Sequence, residues 1–531
     1  MGWVVDYGNE PTPALTRHPS EEGILRRGRV ARPRGQSPNP EASGVPSLHS
    51  ERCERVILSI ALFLIIFAPL AYGAVEAWAR NVVLIGIGLM ACAWLWMFVS
   101  LGRPKLSFPP FFPAAILFLV LVALQLVPLP GALKKFLIPD RLPQVTASAG
   151  SADWERLTAN TGKTAVGALF LAACLAFCFV LLNSFRHSRW IKPTLTVLLA
   201  LGGLEAFYGL LEYWTGHQHI FWYQKIYYLE EVTGTYINHN HFAGLLGPLL
   251  LLGIGAFVVR FARFVAGRSY AFAEDGRSVW KKVTATAQLI RHLPASLALL
   301  LSAIALMALA LILSQSRGGL ISCAVALGLQ VFLLWKLRHR STESLQALGV
   351  LALLAAAVGV VLAPRVLTRF SYAPRDAPER FELWQDSARV VRDYPLLGTG
   401  LGTYRDILPR YRPQKDFFFV SGIPQPAAIN YAHNDYLQLL TECGFVGFGL
   451  MAWALVATLR HLFSRFANHA DWETAAMGSS LTAGIVAFLL HSLVDFNMHI
   501  PANALVFCQL LSVALVLAQN VGTDSATADR G

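Results

Sequence analysis

The chain reads as an all-α polytopic membrane protein with about twelve transmembrane helices and a large, partly helical loop before the tenth. Three observations predict this. Of the 531 residues, 55% are hydrophobic and only 14% are charged. Apolar runs of about 18–22 residues recur along the chain, each long enough to cross a ~30 Å hydrocarbon core. One long polar interval, 364–435, interrupts them near the carboxyl end. Only internally hydrogen-bonded helices or closed barrels can cross lipid, and runs this long and uniformly apolar do not suit barrel strands.

In order, residues 1–54 are polar and rich in Arg, Pro, Gly and Ser, the composition of a disordered basic tail. The first apolar run begins near Arg55, too late for a signal peptide. Nine spans are expected within 55–363, at about 56–75, 82–100, 111–128, 165–183, 194–213, 241–259, 294–313, 318–335 and 345–363. Three more fall within 436–518, at about 436–458, 475–492 and 502–518, before a short tail at 519–531.

Lys and Arg in the short loops set the orientation. With the amino terminus inside, 26 of the 44 basic residues face inward and 18 outward, ten of the latter in the long loop, which is exempt from the rule. Both termini are therefore expected in the cytoplasm and the 364–435 loop outside. The net charge of +12 is spread over many short loops, a signature of the inner leaflet and not of a nucleic-acid partner. The seven cysteines lie mostly in apolar spans without metal-ligand spacing, so they read as small core hydrophobes and not as a disulfide framework.

Within the loop, Asp376-Ala-Pro-Glu-Arg380 reads as a helix start. Phe381, Trp384, Ala388 and Val391 recur at helical spacing as its apolar face, Arg380 and Arg389 fall off that face, and the helix should stop before Pro395. An ordered cap is expected, because a structureless loop of this length is unusual.

Polar residues near membrane depth are the informative ones, since each is costly unless paired or facing a wet cavity. Four clusters stand out, all on the outer side. The first, Thr233 to Phe242, places Tyr236, Asn238, His239, Asn240 and His241 at the mouth of a helix, where an Asn N-cap and a satisfied interfacial His are the plainer reading. The second, Ser314-Gln-Ser-Arg-Gly-Gly319, holds Arg317 at a sharp turn between two apolar helices. Arg317 could simply snorkel, yet its fixed donors suit a phosphate. The third joins Arg380 to Pro395 through Tyr404, where Gly398-Thr-Gly-Leu-Gly402 resembles a weak phosphate-cradling pattern. The fourth pairs His433-Asn434-Asp435 with His491 and Asp495, which share a helix face or form an interhelical tie.

Several Arg, one or more His and a carboxylate at one membrane mouth suit an anionic head group and proton transfer near neutral pH. The chemistry that fits is attack by a hydroxyl on a carbon bonded to a lipid-linked phosphate, with Arg stabilising the leaving diphosphate. A base on the opposite face of the sugar gives inversion.

At these residues the chain resembles the O-antigen ligase/polysaccharide polymerase (Wzy_C-like) superfamily of bacterial inner-membrane glycosyltransferases, from about the fifth span to the twelfth. The ligase signature is His, then Asn, Ser or Gln, nine residues, Gly, two residues, and Gly, Thr or Tyr. His433-Asn434 followed by Gly444 and Gly447 satisfies it. Ser314–Gly319, Arg380 with Trp384, and Pro395–Gly400 look like further landmarks. The resemblance implies metal-independent transfer of a glycan from undecaprenyl diphosphate to an acceptor hydroxyl, without cofactor, at the periplasmic face. His433 would be catalytic and Arg317 and Arg380 would hold the diphosphate. Asn434, Tyr404, Asn238, His241, His491 and Asp495 are the candidate substrate-binding residues. The acceptor would be lipid A-core or a growing polysaccharide, since residues 238–242 and 491–501 resemble a subgroup of exopolysaccharide polymerases. A protein O-oligosaccharyltransferase of the same superfamily and a lipid-linked glycan flippase are the alternatives. A flippase would need charges deep within several spans or paired broken helices.

Overall fold

A computed structural model describes residues 48–101, 106–137, 154–185, 188–267, 292–337, 349, 373–412, 417–420, 423–426 and 429–519. The expected membrane architecture is present. Among the described residues, ten helices are long and apolar enough to cross a bilayer. They are α1 (Leu48–Leu70), α2 (Ala77–Ser100), α5 (Thr161–Ser184), α6 (Ile191–Thr215), α7 (His239–Ala266), α8 (Ala295–Leu313), α9 (Arg317–Lys336), α12 (Asp435–Ala467), α13 (Trp472–His491) and α14 (Pro501–Gln519). A shorter apolar helix, α3 (Phe112–Leu126), occupies the expected third span, and α4 (Gly131–Leu137) follows it. The loop contributes α10 (Ala373–Asp393) and the single turn α11 (Tyr404–Ile407). Eleven expected spans are thus helices. The remaining one, the ninth at 345–363, lies outside the described residues but for Gly349, as do residues 1–47 and 520–531.

Caps place the helix starts where short polar residues stand. Asn160, Asn238, Ser316, Asn434 and Asp471 each accept a bond from a backbone N–H in the first turn of α5, α7, α9, α12 and α13. Gly216, left-handed at φ 68°, ends α6. The first helix reaches further toward the amino end than its apolar run. Glu51 and Glu54 on that extra turn receive Arg189, at 2.8 and 2.7 Å, and Trp190 at 2.9 Å.

Burial sorts the bundle. The apolar windows of α7, α14 and α13 are 100%, 94% and 72% buried, whereas that of α2 is 22% buried. So α7, α13 and α14 form the centre and α2 lies at the rim. Gln330 of α9 ties two central helices together, donating to the Leu251 carbonyl and the Ser480 hydroxyl, both at 2.9 Å. Five of the seven cysteines are buried and all seven are free, as expected of core hydrophobes.

The loop helix α10 ends before Pro395 as expected, but its buried face differs from the expected one. Leu383, Asp386, Ser387, Val390 and Tyr394 face inward, while Phe381 is 60% exposed and Ala388 is also exposed. Hydrophobicity alone chose the wrong stripe because the buried stripe contains polar residues with partners. Asp386 accepts from Arg412 at 3.2 Å, and the Ser387 hydroxyl meets the Tyr404 hydroxyl at 2.7 Å.

A glycine strap binds this loop to α12. Helix α12 breaks at Gly444, with φ 62° and ψ −170°, and its backbone around the break pairs with the turn and glycine run of residues 395–400. Phe445 N–H donates to Pro395 (2.7 Å), Val446 N–H to Leu396 (3.2 Å), Thr399 N–H to Thr441 (3.0 Å) and Gly400 N–H to Glu442 (2.9 Å). A Cβ at Gly444 would overlap the Leu396 backbone. Gly444→Ala is therefore expected to destabilise the fold by at least about 1–3 kcal/mol, the cost of a left-handed non-glycine residue. A lowered melting temperature of the detergent-purified protein would show it, and an unchanged one would contradict the strap.

Candidate functional site

The signature residues meet at one end of the bundle around the turn that follows α13. Residues 492–500 leave α13, pass through a 3-10 turn at Asn497–His499, and enter α14. This segment is clamped from every side. The Asp435 backbone N–H donates to Ser492 at 2.9 Å, and the Asp435 carboxylate accepts from Met498 N–H at 3.1 Å. Arg380, reaching in from α10, donates to the Val494 carbonyl at 3.0 Å. Gly318 presses on it from α9, where a Cβ would lie 3.2 Å from the His491 Nε2 and 2.7 Å from Val494.

At its middle stands Asp495, only 1% exposed. Its Oδ1 accepts from the Phe496 N–H at 2.9 Å and lies 3.4 Å from His433 Nδ1 and 4.0 Å from His241 Nε2. Two histidines from separate elements thus flank one carboxylate. Burial opposes ionisation of Asp495, but the contact with His433 and the positive potential of His241 and His491 hold it below the usual carboxylate range. The Phe496 ring sets both imidazoles edge-on, at 4.6 Å from His241 and 4.9 Å from His433, and stacks on Tyr431 at 4.2 Å.

His433 itself has a left-handed backbone, φ 50°. Such strain in a non-glycine residue persists where the surroundings over-determine it, as at ligand clamps and active sites. Trp384 of α10 holds the residue before it, donating to the Ala432 carbonyl at 3.0 Å. Arg380 and Trp384 therefore pin the Asp495 segment and the His433 segment from one helix. The His433 side chain keeps 33% of its surface exposed, so it is the member of the pair open to a substrate.

The other candidates divide. Arg317 is half-buried at the first position of α9, and its neighbour Gly318 borders His491 and Val494. Asn238 and Asn434 act as helix caps: Asn238 accepts from Asn240 N–H at 2.8 Å and Asn434 from Leu437 N–H at 2.9 Å. The plainer reading of Asn238 is the observed one. Tyr404 is 2% exposed, hydrogen-bonded to Ser387 and packed with Leu383 and Leu408, so it supports the loop and does not line the cluster. The glycine run offers no free cradle either. Thr399, Gly400, Leu401, Gly402, Thr403 and Tyr404 all spend their N–H groups on Thr441, Glu442, Gln125 and the run itself.

Two features escaped the sequence reading. One is the pair Asp435–His499, 2.7 Å apart, continued by His499 Nε2 to Gln438 at 3.1 Å and Gln438 to Glu442 at 3.0 Å. The i, i+3, i+7 spacing of Asp435, Gln438 and Glu442 was its only trace. The other is the acidic face of α6. Glu205 accepts from the Thr235 N–H (3.0 Å) and hydroxyl (2.7 Å), and Glu212 lies 3.5 Å from buried Lys225. These buried acids brace the 216–238 segment. Among the described residues no group of three or more His, Cys, Asp or Glu side chains is placed to hold a metal ion.

Comparison with known families adds a finding. Residues 302–452 match the model of the family described as O-antigen ligase, Wzy_C. The matched segment contains Arg317, Arg380 and His433. This segment of a multi-pass membrane protein is thus similar to the O-antigen ligase family. No curated protein matches the chain.

The Asp435–His499 pair makes stability depend on pH. Burial disfavours the imidazolium, but the Asp435 carboxylate outweighs it and raises the His499 pKa above 6.5. A raised folded-state value stabilises fully below the unfolded value and is lost as pH rises through the folded one. The melting temperature is thus expected to fall as pH rises above about 6.5. In His499→Gln that decline should flatten, and an identical pH profile in the variant would sink the assignment.

Proposed function

We propose that this protein transfers a glycan from undecaprenyl diphosphate to an acceptor hydroxyl at the periplasmic face of the inner membrane, with both termini in the cytoplasm. The acceptor is lipid A-core or a growing polysaccharide. What supports this most is the convergence of His433 and Arg380, both within the matched O-antigen ligase segment, on the turn that carries Asp495, with Gly318 beside Arg317 packed on the same turn. The excess of Lys and Arg in the opposite loops supports the orientation.

In this reading His433 takes the proton of the acceptor hydroxyl at Nε2, because Nδ1 faces Asp495. The Asp495 carboxylate steadies the imidazolium that forms, in the manner of a His–Asp pair. As the acceptor oxygen bonds to the anomeric carbon, the bond from that carbon to the diphosphate oxygen breaks and the electron pair leaves with the diphosphate. A single displacement of this kind inverts the anomeric centre. Arg317 and Arg380 meet the charge that develops on the leaving group. Arg380 uses one of its donors on Val494, and the guanidinium fork has others to offer an anion. Phe496 and Tyr431 wall the site with rings and limit water beside the reacting carbon.

His433→Ala is expected to lower transfer by about 10²–10⁴-fold, the usual contribution of a positioned general base, with membrane insertion unchanged. Donor glycolipid should accumulate in cells carrying it, and transfer at the wild-type rate would end the proposal. Arg317→Lys should fail as well, because a point charge does not reproduce a planar fork. Normal transfer by this variant would remove Arg317 from diphosphate binding.

A further inference from the structure

Between α6 and the Thr233–Asn238 turn, residues 216–232 build an aromatic face that the His433 cluster does not account for. A two-residue hairpin pairs β1 (His219–Ile220) with β2 (Tyr223–Gln224) and puts Phe221 and Trp222 at its tip. Trp222 is 81% exposed, Tyr227 58% and Phe221 41%. Tight hairpin tips ordinarily hold Gly, Asn or Asp, because left-handed backbone is strained for other residues. Here Phe221 has φ 53° and Tyr228 has φ 57°.

The segment is cross-braced to keep these rings in place. The Tyr208 hydroxyl accepts from the Phe221 N–H at 3.0 Å, and Tyr72 sets its edge against Trp222 at 6.1 Å and Tyr223 at 5.8 Å. Lys225 is drawn beneath the face to Glu212, and Gln218 donates to the Leu229 carbonyl at 2.9 Å. Exposed Gln224 and Glu230 lie in sequence among the rings. One contact leads from this segment toward the His433 cluster. Tyr228 stacks on His239 at 4.5 Å, two residues before His241, which lies against Asp495.

We propose that Phe221, Trp222 and Tyr227 form a carbohydrate-stacking subsite that holds the glycan chain where it extends away from His433. Sugar rings present C–H faces to aromatic planes, while an amide and a carboxylate nearby accept and donate to hydroxyls. An interfacial aromatic belt needs only rings at helix ends. It gives no reason for left-handed aromatic residues or for a buried ion pair beneath them, whereas strained, over-determined backbone is characteristic of ligand clamps. The subsite rests on the glycan-transfer reading for its occupant, but binding at it can be measured without transfer.

The test uses the full chain in nanodiscs and, as probe, oligosaccharides released by mild acid from the source cell's own surface polysaccharide. Trp222 emission is isolated by subtracting the spectrum of Trp222→Phe. The expected result is a saturable change in Trp222 emission with oligosaccharide and, by isothermal titration calorimetry, binding weakened at least five-fold in Trp222→Ala and Tyr227→Ala and retained in Trp222→Phe. In transfer assays the KM for long-glycan substrates should rise by a similar factor, with kcat and the KM for a single-repeat substrate unchanged. Quenching of Trp222 by brominated acyl chains together with no response to oligosaccharide would make the face a membrane anchor and overturn the proposal. Equal loss with long and short substrates would overturn it too. Oligosaccharide binding without any transfer by the wild-type protein would instead count against the enzymatic reading and leave the subsite standing.

Discussion

A single buried carboxylate constrains the functional end of this protein. Asp495 is almost wholly removed from water, and an isolated carboxylate in such a place would be protonated or would unfold its surroundings. Its ionised form survives because His433, His241 and His491 surround it and a backbone N–H donates to it. Of the three histidines only His491 is near it in sequence. The 492–500 turn must therefore be held against α7, α9, α10 and α12 at once, and the contacts to Ser492, Val494 and Met498 do that.

The glycines serve the same end at a distance. A strap of left-handed glycines that looked like a phosphate cradle instead gives its N–H groups to α12 and Gln125. Backbone-to-backbone pairing at the Gly444 break leaves no room for side chains on either partner. These glycines thus serve packing: Gly444 makes the break possible and Gly447 lets Leu121 and Phe118 of α3 close against α12. Through the strap, α10 is fixed to α12, and α10 delivers Arg380 and Trp384 to the two halves of the site.

This arrangement divides labour between a rigid centre and a polar end. The central helices α7, α13 and α14 are apolar along their length and are tied midway by Gln330. Charged groups gather instead where α6, α7, α9 and α12 begin or end. Glu205 and Glu212 lie within α6, and each is committed to the 225–235 segment.

The sequence by itself determined the membrane class, eleven of the spans, the helix caps and the residue types of the site. These follow from local physics: apolar runs measure themselves against the bilayer, and short polar side chains satisfy orphan N–H groups at helix starts. The signature at His433 and Gly444 was legible for the same reason, as a fixed spacing along one segment. Tertiary structure alone decided which groups meet. It set the buried stripe of α10, because Asp386 and Ser387 become buriable only once Arg412 and Tyr404 reach them. It also placed His241 opposite His433 across Asp495 and His499 beside Asp435, contacts that span 254 (241 to 495), 62 (433 to 495) and 64 (435 to 499) positions of chain. No periodicity encodes such encounters, since they depend on how whole helices pack.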